Sequence, residues 1–146
     1  GFGIYSNKKT SSECMGDWVN DIQHGIIFEY WSDKSIYLGE VNQGKKEGLG
    51  IYEWEEGSKY EGEWGGGALN GYGIYYFSPQ KKYQGEWLNN QMHGYGELYL
   101  ETHLYIGNYQ YDKKEGFGIY YSYNPEKVYI GMWKDGKQNG LGKVIT

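Results

Sequence analysis

Residues of different size and polarity alternate along much of the chain with a period of two, so that every second residue falls on the same side. In the segment 71–76, the two glycines and Tyr75 fall on one side, whereas Tyr72, Ile74 and Tyr76 fall on the other. No helical period of comparable strength is present. Alternation of this kind, bounded by Gly, Asn, Asp and Pro, predicts antiparallel β-strands joined by short turns, and therefore an all-β chain.

Two short motifs recur in step along the chain. An aromatic-x-Gly-x-aromatic motif begins, with some substitutions, at Cys14, Tyr37, Tyr60, Tyr83, Tyr105 and Tyr129. A Gly-x-Gly motif, degenerate in the first copy, follows 11 residues later, at Gly25, Gly48, Gly71, Gly94, Gly116 and Gly140. The distance between the two motifs never varies, so all the variation lies in the connection to the next copy. A hairpin with a locked register behaves in this way, because a slip of one residue would exchange its two faces.

A turn residue stands at a fixed place in each unit. Three residues after the second aromatic position are Asp21, Gly44, Gly67, Asn90, Asp112 and Gly136. These residue types tolerate a left-handed backbone, so a tight turn is predicted at this position in all six units. The connections between units also carry turn residues, and both prolines of the chain, Pro79 and Pro125, lie there.

The predicted architecture is one repeat array over residues 1–146. It consists of a half repeat, 1–13, and six units: 14–36, 37–59, 60–82, 83–104, 105–128 and 129–146. Thirteen strands at ~4.8 Å spacing would form an elongated, twisted, single-layer antiparallel meander. A lone hairpin is marginally stable, so each unit depends on its neighbours, with aromatic rings lying over the glycines of adjacent strands. The opening half repeat suggests an array that continues upstream or pairs with another copy.

The repeating unit resembles the MORN (membrane occupation and recognition nexus) repeat. Unit three carries all the residues that define it: Tyr60, Gly62, Trp64, Gly67, Gly71 and Gly73. The other units depart from the pattern at Cys14, Ile27, Val41, Asn90 and Asp112. Because these departures cluster partly in the first two units, a groove there is expected to be poorly formed.

The resemblance implies a binding or scaffolding role. MORN arrays occur in junctional membrane proteins, lipid kinases, a histone methyltransferase, ciliary proteins and cytoskeletal scaffolds. Phospholipid binding, dimerisation, and capture of a peptide or helix along an aromatic groove have been assigned to them. The resemblance therefore implies a non-catalytic scaffold that binds a protein partner or itself, as a dimer or filament. The alternatives are a peripheral membrane module that binds anionic phospholipid and the targeting domain of a larger enzyme.

Composition and charge narrow the class of protein. The chain has 25 Gly, 18 Tyr, 6 Trp and 2 Pro, which is too aromatic for a disordered chain. A formal net charge of −5 argues against nucleic acid as a partner. A single cysteine, and no apolar run near the ~20 residues of a membrane span, favour a cytoplasmic setting. Association with the cytoskeleton or a membrane is a further expectation from the resemblance.

No set of residues points to catalysis. His24 and His93 occupy the same turn position of distant units, and His103 lies in a connection. Cys14 replaces a structural tyrosine, and no helix follows the Gly-x-Gly motifs as a nucleotide-binding loop requires. We therefore expect a chain that is not an enzyme, with no metal, no cofactor and no small-molecule substrate.

Aromatic residues are the candidate partner-binding site. They are predicted to form two rows on one face, made of Tyr37, Tyr60, Trp64, Tyr83, Trp87, Tyr105, Tyr109, Tyr129 and Trp133. Since a single sheet has no second layer to cover both faces, some of these rings should remain accessible. Tyr and Trp are favoured interface anchors, so the rows predict a groove for an amphipathic helix or an extended peptide.

Four lysines are the candidate lipid-binding site. Lys45, Lys46, Lys113 and Lys114 occupy the same turn position in units two and five, and are predicted to point from one long edge of the array. There they could meet anionic phospholipid head groups. Glu47 and Glu115 follow immediately, so the alternative is a turn that is charged for solubility.

Overall fold

The described part of the chain forms one sheet of thirteen strands. The computed structural model describes residues 1–9 and 11–146. In chain order the strands are β1 (Phe2–Asn7), β2 (Ser12–Val19), β3 (Ile22–Trp31), β4 (Ile36–Asn42), β5 (Lys45–Glu53), β6 (Lys59–Gly65), β7 (Ala68–Ser78), β8 (Lys81–Leu88), β9 (Gln91–Tyr99), β10 (His103–Gln110), β11 (Lys113–Tyr123), β12 (Glu126–Lys134) and β13 (Lys137–Ile145). Each strand pairs antiparallel with the next along the chain. The predicted all-β, single-layer antiparallel meander is confirmed.

The turns inside the units have the predicted backbone. The φ angles of the six predicted turn residues lie between 63° and 85°. The residue before each of them also has a positive φ, between 46° and 61°. Two consecutive left-handed residues make a type I′ turn, whose twist matches that of the strands it joins. The preference for Gly, Asn and Asp at this position follows directly.

A bulge follows the glycine of the first motif in every hairpin. In the pair β6–β7, Gly62 lies opposite Gly73, but the next pair is Trp64 with Leu69. The second strand therefore has two more residues than the first between these pairs. Among them is Gly71, with a φ of 95°, and the equivalent glycines of the other units lie between 73° and 89°. The first glycine of Gly-x-Gly is thus required by its left-handed backbone.

A carboxylate closes this bulge in three units. The side chain of the residue that precedes the second aromatic position accepts the N–H of the residue between the two glycines. The pairs are Glu40 with Leu49, Glu63 with Tyr72, and Glu86 with Tyr95, at 2.5–2.6 Å. Such a charge-assisted bond holds the bulged backbone in one conformation.

The second glycine belongs to a row that crosses the whole sheet. Direct cross-strand pairs link Gly3, Gly16, Ile27, Gly39, Gly50, Gly62, Gly73, Gly85, Gly96, Gly107, Gly118, Gly131 and Gly142. A Cβ at Gly73 would run into the ring and hydroxyl of Tyr60, and one at Gly96 would run into Tyr83. The second glycine of each Gly-x-Gly motif in units two to six is therefore required, because an aromatic ring lies directly on its backbone.

The tyrosines that open the repeats cover this glycine row. Tyr37, Tyr60, Tyr83, Tyr105 and Tyr129 are 0–7% exposed. Each hydroxyl donates a hydrogen bond of 2.7–2.9 Å to the main-chain oxygen three residues further on, beside the bulge. The ring, the glycine and the bulge therefore form one structural unit. The hydroxyl of the buried tyrosine has its hydrogen-bond partner within this unit.

The first unit fills the same space with different residues. Cys14 stands where the other units have tyrosine, and Ile27 stands where they have the second glycine. Both are 2% exposed, and a Cβ at Gly16 would meet the Ile27 side chain at 2.7 Å. A small residue has replaced the ring and a larger one has replaced the glycine, so the packed volume is maintained.

This exchange of volume can be tested. Cys14→Tyr should cost about 1–3 kcal/mol of unfolding free energy because the ring would collide with Ile27. Ile27→Gly should cost about 2–5 kcal/mol because it leaves a cavity. The double variant restores the ring-over-glycine pair, so its unfolding free energy in urea should lie within about 1 kcal/mol of the original chain. A double variant whose loss of unfolding free energy equals the sum of the two single losses would contradict the exchange of volume.

Candidate binding groove

One face of the sheet is built around tyrosine, and we call it the tyrosine face. Next to the glycine row, cross-strand pairs link Tyr5, Cys14, Glu29, Tyr37, Tyr52, Tyr60, Tyr75, Tyr83, Leu98, Tyr105, Tyr120, Tyr129 and Val144. Nine of these thirteen residues are tyrosine. On the other side of the glycine row, the tryptophan position of each unit contributes a second set of rings.

The nine aromatic residues predicted to bind a partner belong to the hydrophobic core. Their side chains are 0–7% exposed. Tyr60 packs edge-on against Trp64 and Trp87, with ring centroids 5.3 and 5.8 Å apart. The indole N–H groups of Trp64, Trp87 and Trp133 donate to main-chain oxygens of the glycine row at 3.1–3.3 Å. The expectation of accessible rings is wrong for these nine, because each ring covers the next, and they form the floor of the face.

The accessible rings of this face are different ones. Trp54 and Phe77 lie at the strand ends, where β5 and β7 lead into the connections between units. Trp54 packs on Tyr75 with centroids 5.3 Å apart, and Tyr75 packs on Phe77 at 4.5 Å. Phe77 is 37% exposed. The sequence reasoning missed these two residues, although the alternation that places Tyr52 and Tyr75 on this face reaches them one step later.

These rings enclose a groove in the middle of the array. Its volume is ≈ 540 Å³, and we call it the central groove. It is lined by Trp54, Trp64, Leu69, Tyr75, Phe77, Trp87, Asn90, Met92 and Asp112. Most of this lining is aromatic or aliphatic, with two polar residues at one end. Grooves of this composition accept apolar side chains of a partner.

A comparison with known families identifies the repeat. The MORN repeat matches residues 14–35, 37–59, 60–80, 83–102, 105–124 and 129–145. The chain belongs to the MORN repeat family. The repeats of this family bind proteins or membranes and are not catalytic. A search of curated proteins found no match to the chain.

The MORN array has a second recess on the tyrosine face, between units one and two. Its volume is ≈ 790 Å³, larger than the central groove. It opens where Cys14 and Val41 stand in place of aromatic residues. Glu29 lies inside it and accepts hydrogen bonds from Ser12 and Gln23, at 2.9 and 3.1 Å. The expectation of a poorly formed groove in these units is wrong, because a recess is open there, where Val41 stands at the tryptophan position.

The four candidate lysines of the MORN array divide between the two faces. Adjacent residues of a strand point to opposite sides, so Lys46 and Lys114 lie on the tyrosine face, while Lys45 and Lys113 are exposed on the other. Lys46 Nζ is 5.2–5.8 Å from the ring centroids of Trp31, Tyr37, Tyr52 and Trp64. Lys114 Nζ is 5.3 and 5.6 Å from those of Tyr105 and Trp133. The prediction that all four point from one edge is wrong.

The opposite face of the MORN array, which we call the outer face, carries a row of exposed apolar residues. The residue between the two glycines of each unit is 46–87% exposed: Phe2, Ile26, Leu49, Tyr72, Tyr95, Phe117 and Leu141. Four of these seven lie directly opposite an acidic residue of the next strand. The row is thus interrupted by charge along half its length, and it lacks the continuous aromatic lining of the central groove.

Neither a metal site nor a membrane-spanning helix is found in residues 1–9 and 11–146. No group of three or more His, Cys, Asp or Glu side chains is placed to hold a metal ion. Within the same residues, no helix is long and apolar enough to cross a membrane.

The buried tyrosines make the MORN array sensitive to alkali. Burial raises the pKa of Tyr105 to about 12, and it raises the pKa values of Tyr37, Tyr60, Tyr83 and Tyr109 as well. The unfolded chain ionises its tyrosines near pH ~10. The stability due to these groups is therefore complete below pH ~10 and is lost as the pH rises through 12.

Tyrosinate absorbance and far-ultraviolet circular dichroism, followed together from neutral to strongly alkaline pH, test this sensitivity. Loss of the sheet and ionisation of the buried tyrosines should coincide in one cooperative transition above pH ~10. A sheet that persists after all tyrosines have ionised would contradict the burial of these rings.

Proposed function

We propose that this MORN array is a non-catalytic scaffold whose central groove binds an amphipathic helix or an extended peptide of another protein. The observation that carries the proposal is the ladder of accessible rings, Trp54, Tyr75 and Phe77, standing on a fully packed aromatic floor. Trp and Tyr in desolvated surroundings are the residues that most often dominate binding energy at interfaces.

The rigidity of the floor supports this function. The Tyr60 hydroxyl donates a hydrogen bond to a main-chain oxygen. The indole N–H groups of Trp64 and Trp87 donate hydrogen bonds to main-chain oxygens of the glycine row. The groove is therefore held in shape before a partner arrives. Less conformational entropy is lost on binding to such a preorganised surface.

The hydrogen bonding of the sheet determines which groups meet the partner. Strands β5 to β9, which carry the central groove, are each paired on both sides. Their main chains leave no free edge for an added strand, so a partner on this face must be recognised through side chains. An amphipathic helix or an extended peptide with regularly spaced apolar residues fits this requirement.

A double variant at the rim of the groove tests the proposal. Trp54→Ala with Phe77→Ala should reduce capture of partner proteins from a cell extract by at least ~tenfold, measured by quantitative mass spectrometry. Trp64 and Trp87 are unsuitable for this purpose. They are core residues, and truncating either would cost about 3–5 kcal/mol of unfolding free energy. Circular dichroism of the rim variant should show an unchanged sheet.

The outer face supplies the matched control. Leu49→Ala with Tyr72→Ala removes two exposed apolar side chains, one of them aromatic, without touching the groove. This control should capture the same proteins as the original chain. Loss of capture in the control, with capture retained in the rim variant, would move the binding surface to the outer face.

A further inference from the structure

One row of the tyrosine face varies in charge from unit to unit, and we call it the variable row. Its members pair across the hairpin with the second aromatic position: Gln23, Lys46, Leu69, Met92, Lys114 and Gln138. The same backbone position holds an aliphatic residue in the two middle units, so the fold does not require a lysine there. Lys46 and Lys114 bracket the apolar pair Leu69 and Met92 symmetrically.

Within residues 1–9 and 11–146, neither lysine of this row forms an ion pair. In the described part of the chain the ion pair is Lys59 with Glu61, at 2.8 Å. The negative charge of Glu29 acts on Lys46, but the two side chains form no direct ion pair, and the Glu29 oxygens accept hydrogen bonds from Ser12 and Gln23. Both ammonium groups are instead packed over aromatic rings, where burial lowers the pKa of each lysine.

The surroundings of Lys114 add two further observations. The charged group that acts on Lys114 is another cation, Lys81, which lowers its pKa further. The Lys81 Nζ lies 4.5 Å from the ring centroid of Phe77. Tyr109, the cross-strand neighbour of Lys114, has a buried hydroxyl that lacks a hydrogen-bond partner within the described residues. Asp112 is engaged elsewhere, because its carboxylate accepts the Met92 N–H at 2.8 Å. Lys114, whose ammonium lies over the rings of Tyr105 and Trp133, is thus a cross-strand neighbour of a residue with an unsatisfied hydroxyl.

An ammonium group held over aromatic rings without a direct ion pair favours an anionic ligand. Contacts with aromatic faces compensate part of the lost hydration, but a half-buried cation without a counter-ion remains costly. A carboxylate that arrives in such a place interacts more strongly than it would in water, because the effective dielectric constant is lower. The fold leaves this interaction unmade.

We propose that the partner of this face is an acidic protein segment. A carboxylate at one end of the segment pairs with Lys46, a carboxylate at the other end pairs with Lys114, and apolar residues between them lie on Leu69 and Met92. This inference rests on the proposed binding function of the tyrosine face and adds the charge pattern of the partner.

The distance between the two lysines sets the spacing of the acidic residues. Lys46 is on β5 and Lys114 is on β11, six strands apart. At ~4.8 Å per strand this is ~29 Å. A helix covers that distance in ~19 residues, and an extended segment covers it in ~9. The spacing found in bound peptides therefore also reports their conformation.

Selection from a displayed library of random peptides, long enough to form a helix over this distance, tests the inference. Peptides retained by the original chain should carry Asp or Glu at both ends of an apolar stretch, at one of these two spacings. Lys46→Glu with Lys114→Glu should shift the selected ends to Lys and Arg. Lys46→Met with Lys114→Met, which introduces the residue that unit four has naturally, should weaken binding of the acidic peptides by at least ~tenfold.

The neighbouring lysines give a control with an identical change of net charge. Lys45→Glu with Lys113→Glu alters the outer face and should leave both the selected sequences and their affinities unchanged. An equal effect of the two charge reversals would overturn the inference, because it would show attraction by net charge alone.

Three further outcomes would also overturn it. The selected peptides could lack acidic ends and fail to bind the Trp54→Ala/Phe77→Ala variant. This result would contradict the charge pattern but support the proposed groove. Selected peptides that bind this rim variant with unchanged affinity would contradict binding in the groove itself. Phosphoinositide-containing vesicles that bind at physiological salt through Lys46 and Lys114, and displace the peptides, would replace the acidic segment with a lipid head group.

Discussion

The contact between a tyrosine ring and the glycine backbone of the neighbouring strand makes this single-layer sheet possible. A sheet normally buries one face against another layer, but here the rings of Tyr60 and Tyr83 lie on Gly73 and Gly96 of the same sheet. The hydroxyl of each ring donates a hydrogen bond to the main-chain oxygen beside the bulge of its own hairpin. The core is one side chain thick, and units two to six each contribute a tyrosine ring on glycine to it.

This construction separates stability from recognition. The ring, the two glycines and the bulge hold the array together and leave little surface for a partner. Recognition falls to positions that the packing does not fix, which are the strand-end rings such as Trp54 and the variable row with Lys46 and Lys114. The residues at these positions differ between units, while the tyrosine and glycine positions of the core recur. A repeated scaffold can therefore carry a charge pattern that does not repeat.

The sequence predicts the fold well because its signals are local and repeated. A fixed spacing between motifs defines the hairpin, and Asp21 or Asn90 at the turn defines its geometry. Accessibility is harder to predict, because alternation places Tyr60 and Trp64 on one face without showing that they cover each other. The face of Lys46 could have been found by counting back from Gly50. The recess beside Cys14 depends on packed volumes, which only coordinates reveal.

Two glycines of the same row provide the most direct measurement. A Cβ at Gly96 would overlap the ring of Tyr83, whereas one at Gly3 would make ordinary contacts with Trp18 at 3.6 Å and beyond. Neither glycine has a left-handed backbone. In urea unfolding, Gly96→Ala should lose about 1–3 kcal/mol of unfolding free energy, and Gly3→Ala should lose little or none. Equal losses in the two variants would contradict a core built from rings on glycine.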